Sequence, residues 1–435
     1  MSNKPQHTIA LLPWGNLIED FLDTINVSFE SFCQEMTGGW LFGYIEALKL
    51  AEIKTVLYCI SGRVNAPTYH THIPTGAKIC VLPASKNYHS MHRPIVNPYA
   101  WDIKEAVGDV RGLRRLQLEF YRHTLPYLAT PLTLLTKQLK EDNVRAILCQ
   151  EYEYARFDTC VLAGKLTNIP VFATFQGGDF QLSYWERFLR PFTIKACAGL
   201  IIPTQTEIER VKKKYRIGER KIAKIFNPMN VKNWHAIDRK EARKTLNLPI
   251  ENKIVIWHGR IDIHRKGLDV LLDAWELLTR THKEDNLTLL LVGTGKEAEQ
   301  LDRIIKQKKL QNVIWINQYI LDRDKIRTYL SAADLYVLPS RHEGFPVAPI
   351  EAMASGLPIV AADAPGIPDI LEDGELSGGL MVAREDAVAL ADGISKVLKD
   401  GNLRKQLGKY ARSRIENYFS LEAVGQQLDD FLGIS

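Results

Sequence analysis

The sequence predicts a two-domain α/β protein whose second half is a doubly wound parallel sheet. A chain of 435 residues exceeds what one ordinary core organises, so two domains are expected. From residue 253 onward, short apolar runs alternate with helix-length stretches. Strands are expected at 253–257, 287–292, 313–316, 335–338 and 358–361, and βα alternation of this kind builds a parallel sheet. Polar, glycine-rich turns follow several of these runs, at the strand ends where open α/β sheets bind ligands.

Residues 8–12 form the first expected strand, ending at Pro13-Trp14-Gly15. Residues 16–36, with Phe21, Leu22, Ile25, Phe29 and Phe32, read as an inserted amphipathic helical piece. Gly38 and Gly39 then form a turn feeding a helix. Two glycines allow an anion close to the backbone, and they equally suit a plain capping turn. Further strands are expected at 54–60, 78–82, 146–150, 171–174 and 199–203. Residues 85–109 lack periodicity. Their Tyr88, His89, His92, Tyr99 and Trp101 suit either a substrate-contacting loop or a surface loop without a role. Residues 113–139 have helical periodicity and basic neighbours, among them Arg111, Arg114, Arg115 and Arg122. Such a stretch can rest on an anionic membrane surface or simply face water. The strand at 171–174 runs into Gln176, Gly177 and Asp179, a second polar, glycine-rich strand end. The turn Asn227-Pro228-Met229-Asn230 marks the expected boundary, giving domains 1–228 and 229–417 and a last helix over about 418–435.

Composition narrows the function classes. Charged residues are 25% and net charge is +5, which permits anionic substrates or membrane surfaces without calling for nucleic acid. Six cysteines are scattered with no CxxC pair, as in a protein of the reducing cytoplasm. No apolar run approaches the length of a membrane span. The histidines have no metal-ligand spacing with cysteines or carboxylates.

Two motifs carry the chemistry. The strand at 335–338 is followed by Ser340-Arg341-His342-Glu343-Gly344-Phe345-Pro346-Val347 and a helix containing Glu351. The order is strand, tight loop, helix, with Glu343 in the loop and Glu351 one to two turns into the helix. N–H groups near Phe345, Pro346 and Val347 form a helix N-terminus suited to an anion. A sugar linked to a diphosphate asks for such a set: a carboxylate for hydroxyls, amides for phosphate, and a second carboxylate for a ribose diol. Glutamate pairs at this spacing are also common on solvated helices. The second motif follows the strand at 253–257, in His258-Gly259-Arg260 and Lys266-Gly267. Arg260 offers a planar fork and Lys266 a point charge, and together they can grip a diphosphate and neutralise it as it leaves.

With Gly259-Arg260, Lys266-Gly267, Gly293-Thr294-Gly295 and the Glu343 to Glu351 motif in place, residues 253 to about 417 resemble the retaining glycosyltransferases of family 4, with the GT-B fold. The resemblance implies two Rossmann-like domains facing a cleft, with the last helix packing back on the first domain. It implies a hexosyltransferase using a nucleotide-diphosphate sugar, with UDP or GDP as the carrier, and a sugar or lipid-linked acceptor. Polysaccharide, glycolipid or cell-envelope glycan synthesis is the expected setting. Arg260 and Lys266 are implied to bind the diphosphate, Glu343 with the backbone of Gly344 to Val347 the sugar, and Glu351 the ribose. Gly259 and Gly293 line the donor, and the base lies near Tyr319 and Ile320. Arg260, Lys266 and Glu343 are the expected catalytic residues. In the first domain the resemblance covers only the outline. Gln176 stands where the family commonly has histidine, and an amide can hydrogen-bond a hydroxyl without titrating. No cofactor and no metal are expected, since the two cations replace a divalent ion. Asp322-Arg323-Asp324 is read as a helix cap. A nucleotide-sugar epimerase and a non-catalytic partner subunit of the same fold are the alternatives. A cytoplasmic location, with peripheral membrane contact through the first domain, completes the expectation.

Overall fold

The computed structural model describes residues 7–433 except 26, 38, 86–87, 93, 96–102, 178–182, 282–285 and 321. The chain divides into two compact units, Met1–Met229 with Leu421–Ser435, and Asn230–Ser420.

The first unit is built on eight strands: β1 (Thr8–Leu12), β2 (Lys54–Ser61), β3 (Thr68–Thr71), β4 (Lys78–Pro83), β5 (Val144–Gln150), β6 (Val171–Thr174), β7 (Gly199–Ile201) and β8 (Ile222–Ala223). They lie in the order β3-β4-β2-β1-β5-β6-β7-β8, and only β3 runs antiparallel to its neighbour. Helices cover both faces, so a central strand such as β1 is buried throughout, with Ile9 to Leu12 fully inside. The strands that sequence reading missed or left undefined, β3 and β8, are the two edges. β3 is a largely exposed Thr-Tyr-His-Thr, and β8 is two residues long, so neither has an apolar pattern to read.

Two helical expectations change. Residues 16–36 are not one helix but a wide turn Leu17–Leu22, a tight turn Asp23–Ile25 and a helix Phe29–Gln34, started by Ser28 Oγ accepting from the Ser31 N–H at 3.0 Å. Residues 85–109 contain two short helices, Tyr88–His92 and Ile103–Val107. Tyr99 and Trp101 fall outside the described residues. The last helix, Leu421–Leu432, packs on the helix Gly39–Leu50 in this same unit. Gly425 sits so near Ala47 that a Cβ there would lie 2.4 Å from its carbonyl oxygen, and Phe431 meets Phe172 edge-on at 5.6 Å.

The second unit has six strands: β9 (Lys253–His258), β10 (Leu287–Val292), β11 (Val313–Ile316), β12 (Leu335–Leu338), β13 (Ile359–Ala362) and β14 (Gly379–Val382). Their order is β11-β10-β9-β12-β13-β14, and every pairing is parallel. Five were expected. The sixth, β14, is a four-residue edge strand with only its first residue buried. Because all six are parallel, their C-terminal ends share one rim, and β9 beside β12 brings the two motif loops together there.

A buried ionic network ties the first unit. Arg190, fully buried in the helix Tyr184–Ala196, donates from Nη1 to Asp158 at 2.9 Å and lies 3.9 Å from Glu153. Asp158 also accepts from Tyr127 and Thr193, each at 2.6 Å. Burial pushes the Asp158 carboxyl above its ordinary range, against the pull of Arg190. Arg190→Ala should therefore cost about 3–5 kcal/mol, the range for removing one partner of a buried ion pair. Denaturant unfolding of the variant checks this, and a loss below about 1 kcal/mol would assign the network no structural role.

Candidate functional site

The site in the second unit is built by three loops on the sheet rim. The loop after β9 runs through Gly259 and Arg260 into a helical turn, Ile263–Lys266, started by Asp262, whose side chain accepts from the Arg265 N–H at 3.1 Å. Gly267 closes that turn at φ +63°, and a Cβ on it would lie 2.0 Å from the Pro339 carbonyl oxygen. Only glycine lets the β9 and β12 loops approach this closely. Arg341 then clamps them. Its N–H donates to the Arg265 carbonyl at 3.0 Å, and its guanidinium reaches both Asp269 oxygens at 2.8 Å and the His264 carbonyl at 2.8 Å. Burial alone would raise the Asp269 carboxyl, but the hydrogen bonds and charge of Arg341 hold it below its usual range. The loop after β10 packs alongside: Gly293, at φ +139°, has no room for a Cβ, which would sit 1.9 Å from the Gly259 carbonyl.

The structure pairs the charged residues differently from the sequence reading. Lys266 was expected on a phosphate and Glu343 on a sugar, yet Lys266 Nζ lies 2.8 Å from both Glu343 oxygens. Ser340 Oγ donates to the same carboxylate at 2.7 Å, and the Glu343 side chain is only 5% exposed. Arg260 is left facing solvent, 69% exposed, with Asp262 at 3.9 Å. Glu351, inside the helix Val347–Ala354, meets His258 Nε2 at 3.0 Å. His258 Nδ1 is buried without a hydrogen-bond partner, and its ring packs edge-on against Tyr336. Burial raises the Tyr336 hydroxyl well above its ordinary value.

The helix start needs one correction. Pro346 is the N-cap residue and carries no N–H, so it cannot donate to an anion. Helix geometry leaves the N–H groups of Val347 and Ala348 without intrahelical acceptors. Gly344 is partly exposed, and the Phe345 ring stacks on Phe419. Tyr319, 78% exposed, and Ile320 stand in the loop after β11, two strands from β9. Asp322 is a helix cap, accepting from the Asp324 N–H at 2.9 Å.

In the first unit, Gly38 and Asp179 fall outside the described residues. Gly39 opens the helix Gly39–Leu50. Gln176 donates from its amide to Thr174 Oγ1 at 3.0 Å and to Asn227 at 3.3 Å, which also accepts from the Tyr44 hydroxyl. Gly177, at φ +103°, turns the chain after it. The Gln176 N–H donates to Glu151, a buried residue held at φ +84° just past β5. Backbone strain of this kind clusters at functional sites. His258, Ser340 and Glu151 were not assigned from sequence. Their only signal is position, at or just past a strand's C-terminal end.

Comparison with known proteins adds the family context. Residues 238–414 match the family model for glycosyl transferases group 1. Among curated relatives, the phosphatidyl-myo-inositol mannosyltransferase of Mycobacterium leprae is 30% identical over 253 residues, 57% of this chain and 63% of that protein. The chain spans 52–60% of the length of the first curated relatives it matches. Solved structures match over nearly the whole chain. Sucrose-phosphate synthase from Thermosynechococcus elongatus aligns with a TM-score of 0.64 at 20% identity, covering 98% of each chain. Anabaena HepE in complex with UDP and glucose aligns with a TM-score of 0.66 at 15% identity, covering 98% of this chain and 100% of that one. Residues 238–414 thus resemble the glycosyl transferases group 1 domain, in a chain with the GT-B fold.

Proposed function

We propose that this chain transfers a sugar from a nucleotide-diphosphate sugar to a hydroxyl acceptor, with retention at the anomeric carbon, as a family 4 enzyme of polysaccharide, glycolipid or cell-envelope glycan synthesis. Arg260 carries this reading: an exposed guanidinium beside the Lys266–Glu343 pair, on the rim where parallel α/β sheets bind ligands. A departing nucleoside diphosphate takes the electron pair of the glycosidic bond. Arg260 would neutralise the charge that develops, and Lys266 has a third N–H to contribute. The acceptor oxygen bonds to the same face of the anomeric carbon, and its proton passes to the leaving phosphate oxygen. Val347 and Ala348 would offer their N–H groups to the donor, and Glu351, steadied by His258, would hold the ribose hydroxyls. HepE, solved with UDP and glucose, supports a nucleotide donor. On this reading the cations serve the leaving group without a resident metal. Among the described residues no three His, Cys, Asp or Glu side chains gather as metal ligands. Sugar release from UDP- and GDP-linked donors in excess chelator tests the reading, and absence of any turnover, restored by Mg²⁺, would overturn its metal-independent form.

The chain is further proposed to act in the cytoplasm against an anionic membrane. Among the described residues no helix is long and apolar enough to cross a membrane. Two touching helices of the first unit, Gly112–Ala129 and Tyr184–Ala196, instead expose Leu113, Leu116 and Phe120 on one and Trp185, Phe188 and Phe192 on the other. Exposed Arg114, Arg115, Arg187 and Lys195 accompany them. Apolar anchors among cations suit the headgroup boundary of an anionic bilayer.

The two donor cations should fail differently. Arg260→Ala should lower kcat/KM by roughly two to three decades at unchanged melting temperature, the loss seen for one transition-state charge stabiliser. Lys266→Ala should match that kinetic loss and also lower the melting temperature, because Glu343 is left buried without its counter-charge. Near-normal turnover in both would remove the clamp assignment.

The carboxylates should separate as well. Glu351→Gln and His258→Ala should both raise donor KM with little change in kcat, since ribose contacts are similar in ground and transition states. Glu343→Gln should chiefly lower kcat. Indistinguishable kinetics in the three variants would show that the roles are not divided in this way.

Vesicle co-sedimentation tests the membrane face. Binding to vesicles with anionic lipid should exceed binding to neutral ones, weaken with salt and fall in Trp185→Ser/Phe188→Ser. Equal partition of the native and variant proteins would count against it.

A further inference from the structure

Arg156 occupies the second position of the helix Ala155–Thr167, just past β5, and is 4% exposed. Its Nη2 donates to Asn16 Oδ1 at 2.6 Å. Nε and Nη1 are buried and have no hydrogen-bond partner, and no carboxylate among the described residues forms an ion pair with the group. Three costs coincide here. A guanidinium is buried without a counter-charge, two of its donor atoms are unsatisfied, and a cation stands at the positive end of a helix dipole. Arg190, equally buried, also has two donor atoms without a hydrogen-bond partner, so the contrast lies in the counter-charge: Arg190 has Asp158 at 2.9 Å and Glu153 at 3.9 Å. The same unit thus gives one buried arginine a counter-charge and, among the described residues, gives the other none.

Arg156 faces a cavity of about 620 Å³, counting its open mouth. The cavity lies past the C-terminal ends of the adjacent strands β1 and β5, walled by Trp14, Tyr88 and Tyr154, with Arg122 also lining it. The Trp14 and Tyr154 rings stand 5.7 Å apart at 47°, an aromatic corner. Two carboxylates line the cavity, and each has donors of its own. Glu186 accepts from the Ala155 and Ser183 N–H groups, both at 2.7 Å. Asp20 accepts from the Asn16 N–H at 3.3 Å and lies 3.5 Å from His92 Nε2. Burial pushes the Glu186 carboxyl upward, against the pull of Arg190 and its backbone donors.

We infer that this pocket binds a sugar or cyclic polyol bearing a carboxylate or phosphate, with Arg156 as the counter-charge and the aromatic corner against the ring's C–H face. A planar fork with two open N–H positions fits either anion, and aromatic walls fit the apolar face of a sugar ring. The inference rests on the transferase reading only in making this ligand the acceptor. Binding itself does not depend on turnover.

The test is a titration of the full chain with D-glucose, D-glucuronate, D-glucose 6-phosphate and inorganic phosphate at fixed ionic strength, read by tryptophan fluorescence and calorimetry. At least one of the two anionic sugars should bind tenfold or more tighter than both glucose and inorganic phosphate. Preference for glucuronate assigns a carboxylate, and preference for the 6-phosphate assigns a phosphate ester. Arg156→Gln should abolish the preference, and Arg156→Lys, which keeps the charge but loses the fork, should weaken it. Equal binding of all four probes, or failure of both anionic sugars to bind tighter than glucose and inorganic phosphate, would overturn the inference. So would a preference that survives in Arg156→Lys and Arg156→Gln undiminished. Because the readout is binding, loss of sugar transfer in some other assay would bear on the transferase reading and leave this result standing.

Discussion

The contact between the β9 loop and the β12 loop is the constraint on which the second unit's site depends. Gly267 can approach the Pro339 carbonyl because it has no Cβ and tolerates a positive φ. That approach puts Lys266 against Glu343, residues 77 positions apart in the chain. Arg341 locks the same junction from the other side by a fork on Asp269 and bonds to the β9 loop backbone. A parallel sheet supplies the setting, since it delivers both loops to one rim, but the glycine and the arginine set their spacing.

Charge is distributed unevenly across this rim, and the unevenness is chemically useful. Lys266 is neutralised by Glu343, and Glu351 is engaged by His258, so both carboxylates have a partner before any ligand arrives. Among the described residues Arg260 has none closer than Asp262 at 3.9 Å, and it stays in solvent. On the proposed transferase reading, an incoming diphosphate would meet Arg260 unengaged and Lys266 already shared with Glu343. The same lysine holds Glu343 in place, so on that reading phosphate binding and sugar binding would be coupled through a single ammonium group.

The first unit handles its buried guanidinium groups in two ways. Arg190 lies inside a network of Asp158, Glu153, Thr193 and Tyr127, which joins several helices and behaves as structure. Among the described residues Arg156 is held by Asn16 alone, with no counter-charge, and faces a cavity. A buried cation is tolerated without a protein partner where a ligand can supply one, which makes the difference between these two arginines a functional distinction.

Much of the fold was legible in the sequence. Buried parallel strands are continuous apolar runs, so β9 to β13 and the central strands of the first sheet stood out, whereas edge strands β3, β8 and β14 are short or half-exposed and had no such pattern. The placement of Arg260, Lys266, Glu343 and Glu351 in strand–loop–helix contexts was legible too, because apolar runs and glycines mark those turns. Their partners were not. The Lys266–Glu343 and His258–Glu351 pairs join residues 77 and 93 positions apart, and Arg156 draws its meaning from Asn16, 140 positions away. Local sequence determines which strands and turns form, through apolar periodicity and glycine. Only the tertiary structure decides which charges meet and which are left open, because that depends on strand order, and strand order joins segments distant along the chain.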